Sequence, residues 1–483
     1  MEALRRRNTR ALAVAGLALA ALIAGLVVGL SHKTSEKRLV PAGGGHGDTY
    51  DPLSYDESRR AVFEQQAAAG LSHVLYAKSP GGAVATAQRV ARYRPLVTKA
   101  AAAGKVDANT LEAIVFLESA GRPDVIAGGD PANASGLTQI LAQTGSGLLA
   151  MHVDLAKSRK LTKKIAHARG GRLRTLLRQR RHADDRFDPA KALAGTVRYL
   201  QFAREKLKRT DLSVVSYHMG VGNLQTALQL YTGKSDSQVP YAQLYFDSTP
   251  LVHRRAYRLL AALGDDSSTY YWRVLAATQI MRLYRTNPAE LKRMSALQNG
   301  RSNAELVLHP PESTRSYDTP RELRSGYLLG SLEKLPNNPS RIAFRVDPSM
   351  GSLAKRLHAP RPIYRGLRPE ALALLAYMSA GTRAIAGGGS LIVTSSVRDN
   401  QYQRALMTGN IEATHGYSLH TTGFAFDIAR LYSSKRQALA FQFMLDRLTA
   451  LNLIAWAREP QAIHITVSSE AKKLEPLLGS LGA

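Results

Sequence analysis

Leu111-Glu112-Ala113-Ile114-Val115-Phe116-Leu117-Glu118-Ser119-Ala120-Gly121 reads as a mostly apolar helix closed by Gly121 as its C-cap. Glu118 stands among Ile114, Val115, Phe116 and Leu117. A carboxyl held against such neighbours is desolvated, its charged form is penalised and its pKa rises. It then stays protonated near neutral pH and can act as a general acid. A glutamate near a helix end is otherwise an ordinary solvated residue, so the surrounding chain has to decide between the two.

Downstream lies Ala134-Ser135-Gly136-Leu137-Thr138-Gln139-Ile140, and much later Val215-Ser216-Tyr217-His218-Met219-Gly220-Val221-Gly222-Asn223. Between them runs Asp188-Pro189, then Ala192, then Tyr199-Leu200. In this order the segments resemble the lytic transglycosylase (SLT, goose-type lysozyme-like) family. The resemblance implies an all-α lysozyme-like domain with Glu118 catalytic, and Ser119, Gly136, Gln139, Tyr217, His218 and Gly220 against the glycan. It also implies a mechanism with one carboxyl where ordinary glycosidases use two. Glu118 protonates the leaving oxygen of a MurNAc–GlcNAc bond, then serves as base on the muramic acid's primary hydroxyl, closing a 1,6-anhydro ring. Thr138 stands where that family usually has Met, and His218 where it usually has Asn; neither touches Glu118. Asp124 and Asp130, in the loop after the helix, are expected to cap or turn.

The flanks concern location. The chain has 483 residues, net charge +28 and no cysteine, which excludes a disulfide scaffold, a thiol nucleophile and Cys-ligated metal. Apolar residues at 45% and charged residues at 21% exclude a wholly disordered chain, and the length predicts two or three domains. Arg5, Arg6, Arg7 and Arg10 precede an unbroken small-and-apolar run from Ala11 to Leu30. The expectation is a cytoplasmic basic tail at 1–10 and an uncleaved single-pass anchor at 11–30, with the bulk of the chain extracytoplasmic; a cleavable signal peptide is the competing reading. Residues 31–80 read as a juxtamembrane linker. Residues 81–309 read as the helical domain, with Trp272, Val274, Leu275, Ile280 and Leu283 in helical spacing near its end. Inside it, residues 151–181 carry eleven Lys and Arg against Asp154, broken by Gly170-Gly171 into two helical pieces. Such a run is either a solvated basic face or a dock for anionic wall polymers, peptidoglycan carboxylates or membrane lipids.

Residues 310–350, rich in Pro, Ser and Asn, read as a linker into an α+β domain at 351–483. There, Ser418-Leu419-His420-Thr421-Thr422-Gly423-Phe424-Ala425-Phe426-Asp427 resembles the zinc D-Ala-D-Ala carboxypeptidases and dipeptidases. The resemblance implies Zn²⁺ on His420, Asp427 and a later histidine, matched by His464, with a fourth position open. Arg398 and Gln403 match that family's substrate-holding segment, Ser418 belongs to the motif, and Arg398 would grip a carboxylate or carbonyl. Gln461 stands three residues before His464, where that family keeps a general-base acid. Glu459 and His415 are the substitutes at hand.

Together these expectations describe a multidomain, membrane-anchored protein that cuts peptidoglycan glycan and binds or trims stem peptide. One alternative is a non-catalytic wall-binding scaffold in an envelope machine. Another is a basic DNA-handling protein, but no recognised DNA-binding motif is present and nucleic acid is not expected.

Overall fold

Asp107 starts the Glu118 helix, its carboxylate accepting the Thr110 amide at 2.8 Å, and the helix then runs Ala108–Ser119. The residue in the left-handed capping conformation is Ala120 (φ 53°) rather than Gly121. Gly121 has positive φ too, but close approach also fixes it: a Cβ there would stand 2.9 Å from the backbone of Arg89 and Val90. The computed structural model describes residues 38–43, 49–234, 236, 238–264, 266–299, 304–336, 342–407 and 417–481.

Around this helix a bundle buries Ile114, Val115, Leu193, Val274 and Ile280 in one cluster. The Glu118 helix packs chiefly on the long helix Tyr270–Thr286, then on Arg94–Gly104 and Gly82–Ala91, and less on Pro189–Leu207. Glu112, fully buried, is clamped between Arg94 (2.9 Å) and Arg285 (2.5 Å), which fixes the helix against both neighbours. Charge pairing of this kind is what makes a buried carboxylate tolerable.

The short strands β1 (Arg38–Leu39) and β2 (Thr49–Tyr50) pair in parallel ahead of the bundle. In the C-terminal part β3 (Glu333–Lys334) pairs with β5 (Gly366–Leu367). The main sheet has the order β4-β6-β7-β9-β8, from β4 (Phe344–Val346), β6 (Leu391–Ser395), β7 (Ala425–Ala429), β9 (Ala462–Val467) and β8 (Ile454–Arg458). Only β4–β6 is parallel; the other pairings are antiparallel. Helices Pro369–Ala386 and Lys435–Ala450 pack on it, giving the expected α+β region.

Three boundaries differ from the sequence reading. The expected spacer at 31–80 is ordered wherever it is described, with helices Arg60–Gly70 and His73–Lys78. Phe63, Ala67 and Ala68 are buried, and Gly70 lets its helix approach the helix Lys435–Ala450 so closely that a Cβ would lie 1.9 Å from the Thr449 carbonyl oxygen. The expected linker at 310–350 contains helix Pro320–Leu328 and β4, whose Phe344 is fully buried. Its prolines mislead because Pro320 sits in a first helical turn, where no amide is needed. The one-turn helix Glu305–Leu308, assigned to the helical domain, packs on β8 and β9.

Beyond these, one buried cluster joins Phe63, Phe246 and Trp272 of the helical part to Phe344, Tyr377 and Met444 of the sheet part. The anchor expected at 11–30 lies outside the described residues, and among those described no helix is long and apolar enough to cross a membrane.

Candidate active site

Glu118 lies two residues past the buried run Leu111–Phe116 of its helix, half-buried, on a pocket of about 180 Å³ lined also by Leu75, Pro80, Phe116, Ala120 and Arg122. The Tyr270 hydroxyl donates to its Oε1 at 2.7 Å. Burial pushes the carboxyl up to about 7, against a downward pull from that hydrogen bond. Glu112 and Glu118 thus share a helix but not an environment: two arginines pair the first, whereas the second meets a phenol on a pocket of mixed lining that includes Leu75, Phe116, Arg122 and Arg273. A group of this kind can give a proton near neutral pH and take one back.

Tyr270 is held in turn. Its ring stacks on Tyr217, with centroids 6.4 Å apart, and on His218 at 5.2 Å. His218 Nδ1 meets the Ser267 hydroxyl at 2.8 Å. Tyr217 donates to the Thr138 carbonyl at 2.7 Å. Of the residues expected to meet substrate, Tyr217 and His218 are joined to Glu118 through Tyr270, and several others are engaged internally. The Ser119 hydroxyl donates back to the Val115 carbonyl (3.3 Å). Gln139 Nε2 donates to the Gly136 and Val125 carbonyls at 2.9 and 3.1 Å. Gly136, at φ 85°, touches the Arg186 backbone, and Gly220, at φ 82°, links helices Thr210–Met219 and Val221–Thr232.

Tyr270 escaped the sequence reading. It is one of 20 tyrosines, at the head of a helix recognised only by its apolar spacing, and nothing local marks it.

Asp124 and Asp130 do more than turn the loop. Asp124 pairs with the buried Arg180 (2.9 Å) and Asp130 with Arg159 (2.8 Å), so acids outside the basic insertion tie it to the cleft loop. The insertion forms helices Leu155–Ala166 and Gly170–Ala183, which close on Leu161, Ala168, Leu176 and Ala183. Lys157, Lys160, Lys163, Lys164, Arg174 and Arg178 are exposed on it.

In the sheet part, His420, Asp427 and His464 come together, each able to offer an atom within 4.8 Å of the others. Asp427 on β7 and His464 on β9 are directly paired across the strands. Asp427 Oδ1 is 2.8 Å from His464 Nδ1 and 3.3 Å from His420 Nε2. His420 arrives on the one-turn helix Leu419–Thr422 before β7, and its Nδ1 donates to the Ser396 carbonyl (2.9 Å), leaving Nε2 as the lone-pair nitrogen. Burial, with Arg398, pulls His420 down to about 4. Burial also works against the Asp427 carboxylate, but the two histidines hold it well below the usual range. Two imidazoles and a carboxylate, buried and converging, suit a divalent zinc ion with an open position.

Arg398 bonds Ser395 (2.6 Å) and the buried Gln403 (3.0 Å) and lies 3.5 Å from Asp427; with Asp427 it lines a cavity of about 240 Å³. Ser418 precedes the one-turn helix, its carbonyl accepting the Thr421 hydroxyl at 2.6 Å. Gln461 is exposed at the β8–β9 turn, where its carbonyl accepts the Arg430 amide; Glu459 sits in the same turn, and His415 lies outside the described residues. The sequence reading also missed Glu305, whose carboxyl stands 3.3 Å from His464 Nε2.

Residues 95–239 match the family model described as Transglycosylase SLT domain. Glu118, Gly136, Gln139, Tyr217, His218 and Gly220 fall inside the match, and Tyr270 falls beyond it. The match supports a lytic transglycosylase-like activity on peptidoglycan for the helical part. No curated protein matches the chain.

Proposed function

We propose that the helical part cleaves the MurNAc–GlcNAc bond of peptidoglycan with Glu118 as its only acid–base group. The supporting observation is one half-buried carboxyl, raised to about 7, on a pocket with the Tyr270 hydroxyl bonded to it. In the first half of the reaction Glu118 gives its proton to the leaving oxygen. In the second it takes the proton of the muramic acid's own primary hydroxyl, so that the product ends in a 1,6-anhydro ring rather than a hydrolysed one. Tyr270 keeps the carboxyl aimed through both halves.

The C-terminal part is read as a stem-peptide domain that binds or trims peptide at a zinc ion held by His420, Asp427 and His464. Bound there, zinc would supply a Lewis acid for a peptide carbonyl. Arg398, fixed by Ser395 and Gln403, would hold the peptide's carboxylate beside it. With Gln461 in place of an acid, binding without cleavage is the form this domain takes unless Glu459 reaches the site. The exposed lysines of the insertion would dock anionic wall polymer or lipid, and the run at 11–30 would anchor the chain in the membrane with its bulk outside the cytoplasm.

Mass spectrometry of sacculi digested with the soluble chain tests the main reading. Anhydro-ended muropeptides are expected from wild type and none from Glu118→Gln. Hydrolysed ends, or equal release by the mutant, would overturn it. Release of D-alanine from a pentapeptide would assign cleavage to the second domain.

A further inference from the structure

His464 is gripped from both sides. Its Nδ1 faces the Asp427 carboxylate at 2.8 Å, on the side of the candidate metal cluster, and its Nε2 faces Glu305 Oε1 at 3.3 Å. The same Glu305 oxygen accepts the Thr466 hydroxyl at 3.2 Å. His464 and Thr466 are two apart on β9, so they share a face of the sheet, and Glu305 spans that face from outside it. Glu305 is 5% exposed, which leaves its carboxyl little contact with water.

The segment that delivers Glu305 is locked in place on the same strand. His309 Nε2 bonds the Val467 carbonyl at 2.6 Å, and its ring stacks on Phe424 with centroids 3.8 Å apart. The Tyr417 hydroxyl donates to the His309 carbonyl at 3.2 Å.

An imidazole that ligates through Nδ1 must carry its proton on Nε2, and an acceptor there fixes both tautomer and ring orientation. His420 shows the mirror arrangement: its Nδ1 is bonded to the Ser396 carbonyl, and its Nε2 faces Asp427. We infer that Glu305 is the positioning carboxylate for His464, accepting its Nε2–H so that Nδ1 is presented to a metal ion shared with His420 and Asp427. This rests on the zinc reading above and adds to it. The site is completed by the connector that leads out of the helical part, so metal affinity depends on a residue some 115 positions before the first ligand.

The test uses the full chain, stripped with chelator, then titrated with Zn²⁺ against a chromophoric competitor and separately loaded with Co²⁺. Wild type should bind one equivalent, and His420→Ala should lose it. Glu305→Ala should weaken zinc about ten- to hundredfold. Glu305→Gln keeps the shape and an accepting oxygen. It should therefore fold as wild type does, lose less affinity, and still shift the visible cobalt band, which a purely structural residue would leave unmoved. If both Glu305 variants bind zinc like wild type and give its cobalt spectrum while His420→Ala does not bind, the positioning role is wrong and the metal reading stands. If wild type and His420→Ala take up zinc alike, or neither takes it up, both readings fall.

Discussion

In the reaction proposed for Glu118, chemistry depends on a single proton. With its carboxyl raised from the ordinary 4.5 to about 7 by burial, the acid form persists to near neutrality, and bond cleavage should fall as pH rises through about 7. The Tyr270 hydrogen bond works the other way, favouring the ionised form. Tyr270→Phe should therefore move the alkaline limb of the pH–rate profile to higher pH while lowering the maximal rate about tenfold through lost aim. An unmoved limb would show that the phenol does not act on Glu118. The same shift has a stability sign. The folded state holds this proton more tightly than the unfolded chain, so the contribution is present below about 4.5 and lost as pH rises through about 7. Glu118→Gln should melt above wild type at pH 8 and close to it at pH 5. Glu118 was legible in the sequence because burial of one helix is a local pattern. Tyr270 was not, because it meets Glu118 across 152 residues.

Among the elements, the loop after the Glu118 helix and the basic insertion act as one piece. Arg186 is fully buried against Asp184 (2.7 Å) and bonds the Pro131, Asn133 and Ile140 carbonyls, so the loop is wired to the end of the insertion. Gly136 is where the two backbones touch: a Cβ would fall 1.8 Å from the Arg186 carbonyl oxygen, at a φ of 85°. Gly136→Ala should cost at least about 2 kcal/mol in denaturant unfolding, since both the strain and the clash are backbone effects. The exposed lysines are different in kind: their side chains lie at the surface, Lys163 near enough to Asp130 to favour its charged form. Changing Lys157, Lys160, Lys163 and Lys164 to Glu should leave the melting temperature within a few degrees of wild type. If these helices dock on anionic polymer, the change should abolish salt-sensitive binding to sacculi. Unaltered binding would make the run a solvated face. The helices of the insertion were readable from their charge and apolar spacing, but the role of Asp124 and Asp130 as their partners was not.

For the whole molecule the decisive contact is Arg447, buried on the helix Lys435–Ala450. It donates to the carbonyls of Phe246 (2.7 Å) and Leu53 (3.1 Å) and lies 3.8 Å from Asp51. Asp51 accepts the Tyr377 hydroxyl at 2.8 Å and the Ala42 amide at 2.9 Å, so N-terminal segment, bundle and sheet meet at one point. Arg447→Ala takes the guanidinium donor from the Phe246 and Leu53 carbonyls and the neighbouring cation from the buried Asp51 carboxylate, and should cost about 3–5 kcal/mol. Because the apolar cluster is continuous across both parts, wild type should unfold in one transition; two well-separated transitions would contradict a shared core. The sequence by itself determined what local pattern and motif order can carry. These are the helical frame around Glu118, the α+β C-terminal part, the His420, Asp427 and His464 set, and the basic insertion. Composition misjudged the described parts of residues 31–80 and 310–350, because Gly, Pro and Ser mark turns whether or not the segments between them pack. Tertiary structure alone decided that these segments join the core, that Tyr270 serves Glu118 and that Glu305 faces His464. Each depends on groups far apart in sequence, brought together by burying apolar surface that no local spacing encodes.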